Sequence, residues 1–165
     1  MTARTPMMIA ASFAALPAAA LAQTPSAYVA AAGASDLFEQ TSSKLVLRTT
    51  RDAKVRSFAT MMVQDHAKST GMVKAAAAKS GVKPAPPQMS PDQRTKIASL
   101  TKANGTARDQ LYWEQQKAAH SAALKLHQSY AASGSAAPLK AAAAQIVPVV
   151  QHHIDMLDGK AMHAH

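Results

Sequence analysis

Apolar residues recur every three or four positions along most of the chain after residue 23, and no segment alternates apolar and polar residues for long. Spacings of three and four place side chains on one face of an α-helix, whereas alternation is typical of a β-strand. In the second predicted helix this face contains Val55, Phe58, Met62, Val73 and Ala76. The periodicity therefore predicts an all-α fold.

Residues typical of helix starts divide this region into four long helices and one short helix. A helix start is indicated by a side-chain oxygen that can accept hydrogen bonds from unpaired backbone amides, or by a proline in the first turn. These residues are Thr24-Pro25, Asp52, Ser90-Pro91 with Gln93 as the capping-box partner, Thr106 with Asp109, and Pro138. The corresponding helices are predicted to end near residues 49, 80, 104, 133 and 159.

The connections between these helices predict how they are arranged. Short turns join the first long helix to the second and the third to the fourth, which makes each pair antiparallel. The connection after Gly81 is longer, begins with VKPAPPQM, and contains the short helix. The simplest arrangement is an antiparallel up-down-up-down four-helix bundle over residues 23–160, with a short extra helix between the second and third long helices.

The first 22 residues have a different character. Arg4 is followed by an apolar run and then by Ala20-Leu21-Ala22, the pattern of a secretory signal peptide with its cleavage site. We predict that residues 1–22 are cleaved and that the protein is periplasmic or secreted. An uncleaved anchor is the alternative, but this run is short and alanine-rich for a membrane span. No later stretch is long and apolar enough for stable membrane insertion after cleavage.

Composition narrows the possible partners and chemistry. The chain has a formal net charge of +9 and no cysteine, which excludes disulfides and thiolate metal sites. A basic protein often binds nucleic acid, but the basic residues here are scattered, and export argues against such a partner. Residues 161–165, which contain His163 and His165, are predicted to form a flexible tail. The oligomeric state is left open.

Four polar residues fall on the predicted inward faces, one on each long helix: Glu39, His66, His120 and His153. His66 takes a core position between Met62 and Val73 at helical spacing. A competing apolar stripe through Phe38 would instead place Glu39 at the boundary. His127 and His152 are expected at the surface or the boundary.

The depths of these four residues along the bundle also agree. With a rise of about 1.5 Å per residue from the end that holds both short turns, Glu39 lies at roughly 17 Å and His66 at roughly 22 Å. By the same count His120 lies at roughly 20 Å and His153 at roughly 24 Å, whereas His127 lies at roughly 9 Å. One inward polar residue per helix at a common level predicts a site in the bundle core.

Two interpretations of this site remain open. Three imidazoles and a carboxylate suit a transition metal such as zinc, copper, nickel or iron, and bundle cores are common places for such sites. The alternative is a metal-free network in which the histidines pair with carboxylates and backbone groups. The side chains expected around the cluster in either case are Asp65, Tyr112 and Gln116.

Several stretches of the chain resemble a known bacterial exported family, domain of unknown function 4142. The matching segments, within about residues 26–157, are FEQTSSKLVL, VRSFATMMVQDH, DQLYWEQQKAAHSAAL and VPVVQHH. The resemblance implies a ferritin-like four-helix bundle and a periplasmic protein. The family pattern matches here at Glu39, His66, His120 and His153.

This chain also departs from true ferritins. Di-iron bundles use Glu-x-x-His pairs, which are absent from this sequence. We therefore expect a single metal ion with a role in metal handling or envelope stress. The alternative function is that of a non-catalytic structural or interaction protein of the envelope. An enzyme ranks third, because the sequence has no nucleophile elbow, phosphate loop or thiol.

Overall fold

The structure, a computed structural model, describes residues 23–160. Over this range the chain forms five α-helices and no β-strand. The helices are α1 (Pro25–Leu47), α2 (Ala53–Lys79), α3 (Pro91–Lys102), α4 (Gly105–Ser133) and α5 (Ala137–Leu157). The predicted signal peptide, residues 1–22, and the predicted tail, residues 161–165, lie outside the described residues.

Three helix starts form as their sequences predict. The Thr24 side chain accepts a hydrogen bond from the backbone amide of Ala27, and Asp52 accepts from two amides in the first turn of α2. Ser90 and Gln93 form a reciprocal capping box at the start of α3. Each cap satisfies backbone amides that have no partner within the helix.

The start of α4 differs from the prediction. Thr106 and Asp109 were expected to cap it, but the helix begins at Gly105, and the N-cap residue Asn104 makes no side-chain cap hydrogen bond. Asp109 instead accepts a hydrogen bond of 2.9 Å from the Thr50 hydroxyl. The carboxylate is therefore used to join the start of α4 to the turn between α1 and α2.

The directions of the helices follow from which ends meet. Tyr28 at the start of α1 contacts His127 near the end of α4, and Thr50 after α1 contacts Asp109 at the start of α4. α4 is therefore antiparallel to α1 and parallel to α2. The α1–α2 turn and the α4–α5 turn lie at opposite ends of the bundle. The order is up-down-down-up, which corrects the predicted up-down-up-down order.

The difference arises from the connection between α2 and α4, residues 80–104. Its extended part of about ten residues spans roughly 30 Å, and α3 adds about 18 Å. Together they exceed the length of α2, roughly 40 Å, so α4 can start at the far end of the bundle. A single long crossover of this kind is typical of ferritin-like folds. The predicted all-α, ferritin-like four-helix bundle with a short extra helix is otherwise confirmed.

Two apolar clusters fill the interior. One, around Tyr28, Tyr130 and Leu139, lies toward the α4–α5 turn. The other, around Phe58 and Tyr112, lies toward the α1–α2 turn. A layer of buried polar side chains lies between them in the middle of the bundle and includes Asp36, Glu39, His66, Gln116, His120 and His153. A polar side chain that is buried without a hydrogen-bond partner destabilises the fold. The side chains of this layer therefore need partners within the bundle.

None of the helices in residues 23–160 is both long and apolar enough to span a membrane.

Candidate metal centre

Three imidazoles meet in the polar layer. His66 on α2, His120 on α4 and His153 on α5 are at most 4% exposed. Their ring centroids are separated by 5.2 to 5.8 Å. One nitrogen from each ring lies within 4.8 Å of the other two. The structure thus brings together the three histidines that the apolar periodicity places inside.

Glu39 and the three histidines also lie at a common depth in the observed up-down-down-up arrangement. Counted from the end that holds the α4–α5 turn, Glu39, His66 and His120 each lie at roughly 20 Å and His153 at roughly 24 Å. These residues lie near the middle of their helices, so their predicted depths are similar from either end of the bundle.

Each ring is held from outside the cluster by one hydrogen bond. His66 Nδ1 donates to Asp36 Oδ1 at 2.9 Å, and His153 Nε2 donates to Asp65 Oδ2 at 3.0 Å. His120 Nδ1 donates to the backbone carbonyl of Gln116 at 2.9 Å. Carboxylate and carbonyl oxygens only accept, so these ring nitrogens carry the proton. In a neutral imidazole the lone pair is then on the other, inner nitrogen.

The inner nitrogens face one another. His120 Nε2 lies 3.3 Å from His153 Nδ1, and the buried His66 Nε2 has no hydrogen-bond partner. Two nitrogens bound to tetrahedral zinc at about 2.0–2.1 Å are separated by about 3.3 Å. Fixed outer partners that orient imidazoles in this way are typical of metal-binding histidines. The donor set therefore fits a transition-metal ion.

The protonation states favour ligation at two of the three rings. Burial lowers the pKa of His120 to about 3 and that of His153 to about 4, with a further contribution from the charge of His66. Burial also opposes protonation of His66, but its hydrogen bond to Asp36 and the nearby Glu39 outweigh burial and raise the pKa. His120 and His153 are therefore neutral at pH 7, and a metal ion at this site would compete with a proton on His66.

Glu39 lies beside the cluster and not among the converging donor atoms. It is completely buried, and its Oε1 lies 3.7 Å from the outer nitrogen of His120, Nδ1. Neither of its carboxylate oxygens has a hydrogen-bond partner. Burial raises the pKa of Glu39 to about 7, an effect that the charge of His66 partly opposes. Its inward position agrees with the prediction, but its contact is with the outer side of one ring.

The residues expected around the cluster have different roles. The Asp65 carboxylate holds His153, as expected for a side chain next to the cluster. Gln116 holds His120 through its backbone carbonyl, whereas its side-chain Nε2 donates to the Ser42 hydroxyl at 3.1 Å. Tyr112 instead forms a 2.8 Å hydrogen bond with the Ser43 hydroxyl. Tyr112 therefore belongs to the apolar cluster toward the α1–α2 turn and does not bind a histidine.

Two buried titratable residues, Asp36 and His127, were not identified as buried from the sequence. Asp36, which holds His66 and also accepts from the Thr70 hydroxyl at 2.9 Å, lies one helical turn before Glu39, a spacing that placed it on the same face. His127 was expected at the surface or boundary but is 2% exposed and is hydrogen-bonded to the Tyr28 hydroxyl at 2.9 Å. Burial lowers its pKa to about 4. His152 is exposed.

Comparisons with known proteins agree with this architecture. The family model described as Domain of unknown function (DUF4142) matches residues 10–159. No curated protein matches the chain significantly.

Two crystal structures of DUF305 proteins share the fold. One, from Streptomyces coelicolor and described as a candidate secreted protein, is 18% identical, with a TM-score of 0.64 over 82% of this chain and 89% of that chain. The other, a fragment from Deinococcus radiodurans, is 16% identical, with a TM-score of 0.71 over 82% of this chain and 93% of that chain. At these identities the similarity concerns the fold alone.

Proposed function

The chain belongs to the family described as Domain of unknown function (DUF4142), and we propose that it is an exported protein that binds one transition-metal ion in its bundle core. The observation that carries the proposal is the orientation of His66, His120 and His153. Each ring donates outward to an oxygen, so the three inner lone pairs are directed toward one another. Without a cation or a proton between them, these lone pairs repel.

The donor set narrows the identity of the metal. Imidazole nitrogens suit zinc, copper, nickel and iron, whereas magnesium and calcium prefer oxygen ligands. Three imidazoles are neutral ligands, so a divalent ion would retain its charge. The carboxylates of Asp36, Glu39 and Asp65 surround the rings and would offset that charge. We therefore assign Glu39 to charge compensation, with the three histidines as ligands.

Export and a role in metal handling or envelope stress belong to the same proposal. The pattern of residues 1–22 supports export, as does the description of a similarly folded protein as a candidate secreted protein. We assign no reaction to the site, because the cavity that His66 and His153 border is about 10 Å³, room for about one water molecule or ion and not for an organic substrate.

One observation favours a second candidate, a metal-free polar network in a structural envelope protein. His120 Nε2 and His153 Nδ1 are 3.3 Å apart, so the two rings could hydrogen-bond to each other directly if one of them changed tautomer or gained a proton. In that case the site would stabilise the fold without a ligand, and removal of metal would leave the melting temperature unchanged.

Metal content separates the two candidates. The protein should be purified without an affinity tag from the cells that produce it, and its bound metals measured by mass spectrometry. We expect close to one equivalent of one transition metal, which is lost in His120→Gln and His153→Gln. His152→Gln is the matched control, because this exposed histidine is the chain neighbour of His153. Trace metal that survives both core substitutions would contradict the proposal.

A further inference from the structure

Two cavities lead from the surface between α2 and α5 toward the histidines. The inner one, about 10 Å³, is bordered by His66 and His153 and has room for about one water molecule or ion. The outer one, about 150 Å³, reaches the surface at Val149, which is 40% exposed. Four residues line both cavities: Asp65, Ser69, Ile146 and Val149. The two spaces are therefore adjacent along one groove.

Two residues that line both cavities, Asp65 and Ser69, have oxygen atoms that could bind a metal cation. Asp65 is the most exposed of the three groups that hold the rings, with 35% of its side chain accessible, against 4% for Asp36. Only its Oδ2 is engaged by His153. The hydroxyl of Ser69, a residue 7% exposed, is buried without a hydrogen-bond partner where the two cavities meet. A buried hydroxyl oxygen without a hydrogen-bond partner at this point indicates a site for a ligand or a water molecule.

From this geometry we infer that Asp65 and Ser69 form an outer binding subsite for a divalent transition-metal ion, through which the ion reaches His153 and then the core. The inference rests on the proposed metal-binding function. His153 borders the inner cavity and is also hydrogen-bonded to the partly exposed carboxylate of Asp65. It is therefore the first ring to meet an incoming ion. His120 does not border either cavity and is reached last.

Charge near the groove controls the rate of loading. The Asp65 carboxylate attracts a cation, whereas Lys68, which also lines the outer cavity, repels it. Local charges of this kind change association rates and are screened by salt. The groove thus favours metal cations through one carboxylate while a neighbouring ammonium limits how fast they arrive.

The route can be tested by mixing the metal-free protein with cobalt(II) chloride in a stopped-flow instrument and following the visible absorbance. Cobalt(II) absorbs visible light much more strongly in a protein site of low coordination number than as the hydrated ion. Val149→Trp would cover the outer cavity. We expect it to slow loading about tenfold, equivalent to about 1.4 kcal/mol in the barrier, with the same final absorbance. Ala144→Trp is the matched control, since this residue is exposed on the same helix and lines neither cavity.

A second pair of variants tests the charge. Lys68→Gln should load cobalt faster than the unsubstituted protein at low salt and at the same rate at high salt. Lys54→Gln, which makes the same charge change at the exposed start of α2, should load at the original rate. Equal rates for the unsubstituted protein, Val149→Trp and Lys68→Gln, with normal final absorbance, would overturn the route alone. Absence of any cobalt spectrum in the unsubstituted protein would overturn the proposed function and the route together.

Discussion

Glu39 is a carboxylic acid enclosed by the bundle without a hydrogen-bond partner for either oxygen. Burial raises its pKa to about 7, from 4.5 in the ordinary state. The folded protein therefore keeps a proton on Glu39 at pH values where the unfolded chain has released it. This group destabilises the metal-free fold progressively as the pH rises from 4.5 to 7, and the full cost persists above pH 7.

Glu39→Gln should remove this cost. We expect the variant to raise the free energy of unfolding of the metal-free protein at pH 8 by on the order of 2 kcal/mol, and by less at pH 5. Urea unfolding in the presence of a chelator at both pH values measures the effect. Glu114→Gln is the matched control, because the other glutamate of the chain is exposed. A loss of stability at both pH values would show that the carboxylate has a partner that the glutamine cannot replace.

Sequence periodicity identified the inward histidines at residue resolution but not their partners. His66, His120 and His153 stand at helical spacing from apolar residues, which is a local property of each helix. The pairs His66–Asp36 and His153–Asp65 join different helices, and their geometry depends on the rotation of one helix against another. His127 was misplaced for the same reason, since its partner Tyr28 is on another helix.

At the scale of the helices, the N-cap residues of α2 and α4 differ in whether their side chains accept hydrogen bonds from backbone amides. Asp52 accepts hydrogen bonds from two backbone amides at the start of α2, whereas Asn104 makes no such bond at the start of α4. Asp52→Ala should therefore lower the free energy of unfolding by about 1 kcal/mol. Asn104→Ala should cost distinctly less. Chemical denaturation of both variants measures the difference, and equal losses would contradict the assigned caps.

Helix boundaries could be predicted where the signal is local. The caps at Thr24, Asp52 and Ser90 each depend on a side chain and an amide two or three residues away, so the sequence contains the whole interaction. The direction of α4 depends on the reach of residues 80–104 and on the contact between Thr50 and Asp109. Such long-range constraints are not visible in periodicity, which explains why α4 and α5 were predicted to run in the opposite directions.

For the molecule as a whole, acid should weaken the metal-free bundle. Burial holds the pKa values of His120, His127 and His153 at about 3 to 4, below 6.5 in the unfolded chain. Between these values the unfolded chain binds three protons that the folded protein does not. Glu39 acts in the opposite direction with one proton. His66, whose pKa is raised, is protonated in both states in this range and contributes little.

The remaining difference of about two protons gives the expected slope. From pH 6 to pH 5 the free energy of unfolding should fall by on the order of 2 kcal/mol. Urea unfolding across this range with a chelator present measures it. His153→Gln should reduce the slope, whereas His152→Gln should leave it unchanged. Stability that is constant or increases on acidification would contradict neutral, buried histidines.

The most direct test of the three-histidine site is an anomalous-scattering map from a crystal of the full protein loaded with zinc. We predict a single strong peak in the bundle core, bonded to one nitrogen each of His66, His120 and His153 at about 2.0–2.1 Å. A core without a peak, with zinc only on exposed histidines such as His152, would contradict it.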